Sequence, residues 1–389
     1  MRVRDLLQLR WWQPLVLAIL AFQLGIGLRI PRIDHPDELW SLGAVQRSYG
    51  QLLTFVLGQD NHPPLYYLII KAWSSIAGNN LASVRILSYL FALLTLFLFA
   101  LFFRRSRPIV FVAPLLLLAT NPLFTYYATM VRPYAFMVLL ATLAVLSNLK
   151  LRAAIPDPLQ ATPLQSSRAI LSLQAVFYGS CLALGLTHYY GWLYALILLA
   201  FEFFGRRISS SRLPSIIVGS LMFIWPLLQV CFGSLDRQIE SNSWVRVVPM
   251  VSTLNNALMG LFPAVLASRQ PPYLFSIALL LCLATILCTP KLVCRPWDGW
   301  SWIRSAFHHP AGYLAAGLGL VYLASLGADL RIPFSTPYYF LVALPAVGIL
   351  FGFAADLMRQ RFGSLPLAIF LVGVTSVQLI LVHQRLLQT

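Results

Sequence analysis

The chain has 389 residues, of which 59% are hydrophobic and 10% charged, with a mean hydropathy of +0.76. Soluble domains carry about a quarter charged residues, so this composition excludes a water-soluble fold and describes an all-α polytopic membrane protein. The net charge of +16 at pH 7 points to no nucleic-acid partner, because the basic residues fall in short clusters between apolar runs and read as topology signals.

Arg2, Arg4 and Arg10 precede an apolar run, Leu15 to Leu28, that ends in Arg29-Ile30-Pro31 without a small-residue cleavage site. This reads as a retained signal anchor. A bilayer-crossing helix takes roughly 17 to 25 apolar residues, and about eleven segments qualify: 11–28, 82–103, 108–124, 133–149, 169–187, 189–205, 213–232, 272–290, 310–327, 338–355 and 364–382. With Met1 cytoplasmic, the clusters Arg104/Arg105/Arg107, Lys150/Arg152/Arg168, Arg206/Arg207/Arg212, Lys291/Arg295/Arg304 and Arg359/Arg361 fall inside, as the positive-inside rule requires. The acids Asp34, Asp37, Glu38, Asp60, Asp236, Glu240 and Asp329 fall outside. The reactive groups therefore collect on the outer face.

Two helices of the first outer loop, 29–81, are expected to lie on the membrane rather than cross it. Residues 36–57 start at Pro36 and repeat Leu39, Leu42, Val45, Tyr49, Leu52 and Val56 every three or four positions. A second helix, about 64–77, carries Lys71 and is too short to span. No internal repeat, soluble domain or zinc spacing stands out, and Cys181, Cys231, Cys282, Cys288 and Cys294 sit in or beside apolar runs as packing residues. The only Pro-rich polar linker is 153–168, on the cytoplasmic side, and no soluble C-terminal domain is expected after the last span.

The chemistry-bearing residues lie in outer loops. Asp37-Glu38 offers carboxylates that accept a proton or complement a helix dipole. The loop Tyr126 to Tyr134 presents Arg132, a guanidinium able to hold a phosphate bidentately or to snorkel from an aromatic belt. His188 lies in Thr187-His188-Tyr189-Tyr190-Gly191, and Asp329-Leu330-Arg331 precedes Tyr338-Tyr339.

Taken in order, Asp37-Glu38, His62-Pro63-Pro64-Leu65-Tyr66-Tyr67, the segment around Arg85, Tyr127 to Tyr134, Thr187 to Gly191 and Ala343-Leu344-Pro345-Ala346 resemble the polyprenyl-phosphate-dependent membrane glycosyltransferases of the GT-C type. The resemblance is to the glycosyltransferase family 39-like group, related to protein O-mannosyltransferases and lipid A aminoarabinose transferases. It implies a GT-C-like bundle in a bacterial cytoplasmic membrane, with its active site on the outer face. The implied reaction moves a sugar from a polyprenyl-phosphate carrier to an acceptor hydroxyl, with inversion. Asp37 matches the family's base, with Glu38 beside it. Arg132, Lys71, Arg331 and His188 are the implied phosphate contacts, and His62, Tyr66, Tyr134 and Tyr338 the implied substrate-binding residues. No cofactor is required by this reading, and a divalent metal is not favoured. A lipid or glycan acceptor is favoured over a peptide. The chain departs from the family pattern at Met130, where a Glu is usual, and at Tyr338, where an Arg is usual. Two readings from other classes stand beside the enzyme: a lipid-linked glycan transporter or flippase, and a scaffold that binds the carrier without turning it over.

Overall fold

The computed structural model describes residues 35–60, 62–104, 106–154, 168–205, 211–232, 310–330 and 336–388, together with Ile19, Gln23, Gly25, Asn256 and Ala257. Among the described residues every regular element is helical: α1 Pro36–Val45, α2 Tyr49–Gln59, α3 Leu65–Ala77, α4 Leu81–Phe103, α5 Pro108–Ala119, α6 Pro122–Ala128, α7 Tyr134–Ala154, α8 Arg168–Gly185, α9 Tyr189–Gly205, α10 Leu213–Met222, α11 Ile224–Cys231, α12 Pro310–Asp329, a 3-10 turn Pro337–Ala343, α13 Leu344–Phe362 and α14 Ser364–Gln388.

Seven helical stretches are long and apolar enough to cross a membrane, or eight when α5 and α6 are taken as one bent span. At 1.5 Å per residue α4 reaches about 34 Å, enough for a hydrocarbon core of about 30 Å. The expected span 189–205 is α9 over the same residues, a helix of 17 residues. Of 11–28 only Ile19, Gln23 and Gly25 are described, and 272–290 lies outside the described residues.

Three expected continuous helices are divided, two of them at a local start signal. The segment 36–57 breaks because Ser48 starts a new helix with a capping box: its hydroxyl accepts from Gln51 N–H (3.3 Å) while the Gln51 side chain accepts from Ser48 N–H (3.1 Å). The span 108–124 bends by 62° after Ala119. There Asn121 caps α6, accepting from Phe124 N–H at 2.9 Å, and Pro122 at the first position disfavours helical geometry in the residue before it. The Ala119 carbonyl at the bend is taken up by the Gln23 amide, and the Thr120 hydroxyl (2.7 Å) adds to the bond that its own N–H (3.0 Å) already makes to Leu116 O. The last of the three, 213–232, is interrupted at Phe223.

α7 is buried along most of its length, packs against α8 and α4, and forms the axis of the bundle. α13 lies against α5, and glycine makes that approach possible: a Cβ on Gly348 would stand 2.5 Å from Leu118 Cδ1, and one on Gly352 2.9 Å from Pro114 Cγ. α14 is mostly exposed, with Leu365, Ile369, Val372 and Ile380 turned outward, as lipid contact requires.

The bundle has two chemically distinct ends. At one, Arg107 pairs with Asp356 (2.8 Å) and the Lys150 ammonium lies 5.5 Å over the Phe102 ring. These are the ends of α4, α7 and α13 that carry the basic clusters. The opposite end holds α1, α2 and α3 and the starts of α4, α7, α9 and the 3-10 turn.

Candidate active site

At that second end the chain builds a tyrosine-walled site with acids on one side and cations on the other. His35 caps α1, its Nδ1 accepting from Asp37 N–H (3.2 Å), and Pro36 occupies the first helical position. This puts Asp37 and Glu38 in the first turn, where the helix dipole favours carboxylates. Successive helical residues point about 100° apart, so the two acids meet different surroundings.

Glu38 faces inward and is 1% exposed. Arg85, one turn into α4, donates to it through Nε (2.9 Å) and Nη2 (2.6 Å), and Val131 N–H donates to its Oε1 (2.9 Å). Three elements are thereby tied together: α1, α4 and the loop between α6 and α7. Asp37 faces outward, with its side chain 54% exposed and Oδ2 3.7 Å from Arg132 Nε. Such a loose, solvated pair binds little, so Asp37 stays available to another partner.

Arg132 is held by a tight turn in which its own N–H donates to Met130 O (2.9 Å). The residue is 8% exposed and its Nε makes no hydrogen bond among the described residues. The guanidinium lies 5.9 Å over the Tyr134 ring. Around it Tyr127, Tyr134 and Tyr338 stack with centroids 4.5 to 5.2 Å apart, and Tyr339 continues the wall to Tyr190 (5.0 Å). The His188 ring stands 5.5 Å from Tyr134, 4.8 Å from Tyr339 and 5.0 Å from His62.

His188 Nδ1 accepts from Tyr190 N–H at 3.0 Å, which in the neutral ring places the proton on Nε2. That N–H is buried and has no partner among the described residues. Burial first, then the charges of His62 and Arg132, hold His188 well below the ordinary imidazole pKa, so it is neutral. The start of α3 is fixed to the same loop, since Leu65 N–H donates to Leu186 O (2.9 Å). This contact brings His62 to His188.

Of the residues singled out in the sequence, Asp37, His62, Arg132, Tyr134, His188 and Tyr338 converge here. Glu38 is adjacent but saturated by Arg85 and Val131. Tyr66 is fully buried with its hydroxyl 3.4 Å from Ser88 Oγ, within reach of the charges of Arg132 and Glu38. Lys71 is turned to the end of α1, donating to Val45 O (3.0 Å) and Arg47 O and lying 5.0 Å over Tyr49. The helix-end carbonyls take the charge that the sequence offered to a phosphate. Arg331 lies outside the described residues. Met130, where the family has an acid, is 3% exposed and packs as an apolar residue.

Asp60, Arg85, Tyr127 and Tyr339 belong to the site although the sequence reading gave them no role in it. Asp60 could have been found from the Asp-x-His spacing of Asp60 and His62, which suits a side chain accepting from the backbone two residues on. Among the described residues no three His, Cys, Asp or Glu side chains group as a metal site would.

Residues 61–154 match the family model described as dolichyl-phosphate-mannose-protein mannosyltransferase. Among solved structures, ArnT from Cupriavidus metallidurans in the apo state aligns with a TM-score of 0.50 at 16% identity, over 88% of this chain and 60% of that one. The apo Archaeoglobus fulgidus oligosaccharyltransferase aligns with a TM-score of 0.52 at 11% identity, over 98% of this chain and 56% of that one. The chain thus spans somewhat over half the length of these neighbours. No curated protein matches it in sequence. The architecture is the GT-C fold of these neighbours, and the likeness to the mannosyltransferase family is confined to residues 61–154.

Proposed function

We propose that the protein transfers a sugar from a polyprenyl-phosphate carrier to a hydroxyl of a lipid or glycan acceptor, on the extracytoplasmic face of a cytoplasmic membrane. One observation carries this reading: the Nε of the buried Arg132 guanidinium and a buried imidazole N–H, His188 Nε2, both without a hydrogen-bond partner among the described residues, line one tyrosine-walled site beside an exposed carboxylate. Leaving a buried donor unmade costs about 1–3 kcal/mol. A phosphate oxygen satisfies both donors, and the tyrosine faces suit the apolar faces of a sugar ring.

In the transfer, Asp37 accepts the proton of the acceptor hydroxyl as its oxygen attacks the anomeric carbon. The bond from that carbon to the phosphate oxygen breaks, and its electron pair leaves with the lipid phosphate. Attack from the side opposite the phosphate inverts the anomeric centre. Arg132 and His188 meet the charge that grows on the leaving group without having to move. Glu38 acts at one remove: with Arg85 it fixes the turn that carries Arg132. The phosphate charge is met by side chains, and no divalent ion is needed in this scheme. The family name matched by residues 61–154 supports a lipid-phosphate sugar donor, and the basic clusters at the far end of the bundle support an outward-facing site.

The test is transfer of radiolabelled sugar in membranes supplied with polyprenyl-phosphate-linked sugars, comparing the native chain with Asp37→Asn at matched expression. Transfer lost only in the variant supports the assignment, and equal transfer in both refutes Asp37 as base. The buried apolar Met130, in place of the family's second acid, favours one other reading, a carrier-binding scaffold. Carrier binding without transfer in either chain would decide for it.

A further inference from the structure

An open groove runs between α4 and α8 over α7, toward the basic end of the bundle. Its floor is one face of α7, where Leu143, Leu146, Ser147 and Lys150 recur at the three- and four-residue spacing that stacks side chains along a helix. Leu98, Leu101 and Phe102 of α4 form one wall, and Leu173 and Val176 of α8 the other. The hydroxyl in this lining is already used, since Ser147 Oγ donates back to Leu143 O (2.6 Å) and Ala144 O (3.1 Å). The rim is open, with Leu101 42% and Val176 41% exposed.

The space amounts to about 170 Å³, close to that of an engineered apolar cavity of about 150 Å³ that stays dry and takes up a small hydrocarbon. From Leu143 to Lys150 it follows α7 for about 10 Å. A run of methylenes fits there. A second helix, about 10–12 Å across with its side chains, is too wide to enter.

Charge stands at one end of this groove. Lys150 lines the floor and carries its ammonium to the basic end, 5.5 Å over the Phe102 ring. Arg104 directly follows α4, and Arg168 opens α8, which runs from the basic end toward Leu186 and the tyrosine-walled site; both arginines are exposed. Among the described residues none of these three cations has a carboxylate partner. Other basic residues at this end differ: Arg107 and Arg359 both meet Asp356, at 2.8 and 3.5 Å, and Arg152 lies 4.0 Å over the Tyr313 ring.

We infer that the groove binds one anionic phospholipid of the adjoining leaflet, with an acyl chain along the leucines of α4, α7 and α8 and its phosphate at the Lys150 ammonium. Hydrocarbon meets hydrocarbon as far as Lys150, and there the headgroup charge meets a cation that no acid among the described residues neutralises. A zwitterionic lipid offers the same chain but brings its own cation to Lys150, so the site selects by headgroup charge. A lipid held this way joins α4 to α8 across α7. Lys150 stands about 24 Å along α7 from Tyr134, so this site is separate from the proposed donor site and does not rest on the transferase reading.

Native mass spectrometry of the full-length protein, delipidated in detergent and titrated with dioleoyl phosphatidylglycerol or dioleoyl phosphatidylcholine, reads the site as a resolved one-lipid adduct. The native chain should take up one phosphatidylglycerol at lower concentration than one phosphatidylcholine. Lys150→Gln should weaken the phosphatidylglycerol adduct about 5-fold, the contribution of one lysine beside anionic lipid. Val176→Trp, at an exposed position of the wall, should fill the groove and remove the adduct. Arg361→Gln takes a charge from the last turn of α13, at the same end but outside the groove, and should leave the adduct unchanged. Equal uptake of the two lipids by the native chain overturns the inference, as does native affinity in Lys150→Gln or in a folded Val176→Trp. An equal loss in Arg361→Gln overturns it too, since attraction would then belong to the whole basic end. A two-chain species lost in Val176→Trp would give the groove to a second copy, and undecaprenyl phosphate displacing phosphatidylglycerol in a Lys150-dependent way would give it to a polyprenyl carrier; either result overturns it. If Val176→Trp fails to fold, the comparison of Lys150→Gln with Arg361→Gln decides.

Discussion

The Glu38–Arg85 clamp makes a sharp prediction because its parts are so completely enclosed. Replacing Glu38 with Ala leaves Arg85, at 4% exposure, without its bidentate partner and removes the acceptor of Val131 N–H. Removing one partner of a buried ion pair costs about 3–5 kcal/mol, and an orphaned buried N–H adds about 1–3 kcal/mol. The two share a geometry, so the sum overstates the total, and a loss of about 4–6 kcal/mol is expected, a large fraction of a typical folding free energy of about 5–15 kcal/mol. Thermal unfolding in detergent should show a marked fall for Glu38→Ala. The double variant Glu38→Ala/Arg85→Met removes both charges and should recover part of the loss, because no charge is then left buried alone. Glu38→Gln keeps an oxygen for Val131 and should fall between. The same variants should lower sugar transfer in step with the displacement of the Arg132 turn. A Glu38→Ala protein that melts with the native chain, or single effects that simply add in the double variant, would refute the clamp. Loss of turnover in Glu38→Gln with native stability and native carrier binding would make Glu38 a chemical participant instead.

Asp60 should make stability depend on acid. Its folded pKa of about 2 lies below the ordinary carboxylate value, so the group contributes stability that is fully present above the unfolded pKa of about 3.9 and is lost as pH falls through about 2. The displacement corresponds to about 2–3 kcal/mol, visible as a melting temperature that falls between about pH 4 and 2 and loses that slope in Asp60→Asn. Transfer activity should be unaffected by chelation: EDTA-treated protein that stops turning over and recovers with added Mg²⁺ or Mn²⁺ would show that an ion shares the phosphate with Arg132.

The spans were legible because length and hydropathy determine them, and the helix bounds of α4, α7 and α14 follow the apolar runs. The breaks were harder to read, although their signals were printed in the chain: Asn121-Pro122 and Ser48-x-x-Gln51 are start signals inside otherwise helical stretches. Arg132 was legible as a cation among tyrosines at a helix entrance, and the structure buries it against Tyr134 as that pattern suggests. Asp37 and Glu38 could not be told apart, since adjacent positions on a helix diverge by about 100° and only the packing of α4 shows which one is enclosed. Lys71 misled for a related reason. A sequence shows that a cation exists, while the carbonyls of Val45 and Arg47 that absorb it are brought there by the turn between α1 and α2.

What the fold adds is the distinction between polar groups that are saturated and those that are left open. Within an apolar bundle each buried donor or acceptor is a liability unless paired, and many here are paired: Thr142 and Ser147 donate back to their own helix, and among the described residues Glu38 meets Arg85 and Val131 while Asp60 meets Trp40, His62 and Tyr67. Saturation rigidifies, so these closed sets position what surrounds them. Arg132 and His188 differ in kind. They sit on loops that the Glu38 clamp and the Leu65–Leu186 contact hold, they line the same tyrosine wall, and Arg132 Nε and His188 Nε2 are among the buried polar atoms with no partner among the described residues. An open pair of this sort costs the free protein stability that a bound acceptor would return, which is why the proposed function places the donor phosphate there. The arrangement also explains why Asp37 is exposed while its neighbour is enclosed. On the proposed mechanism, Asp37 has to meet a second substrate to take its proton, whereas Glu38, which orients, has to meet nothing new.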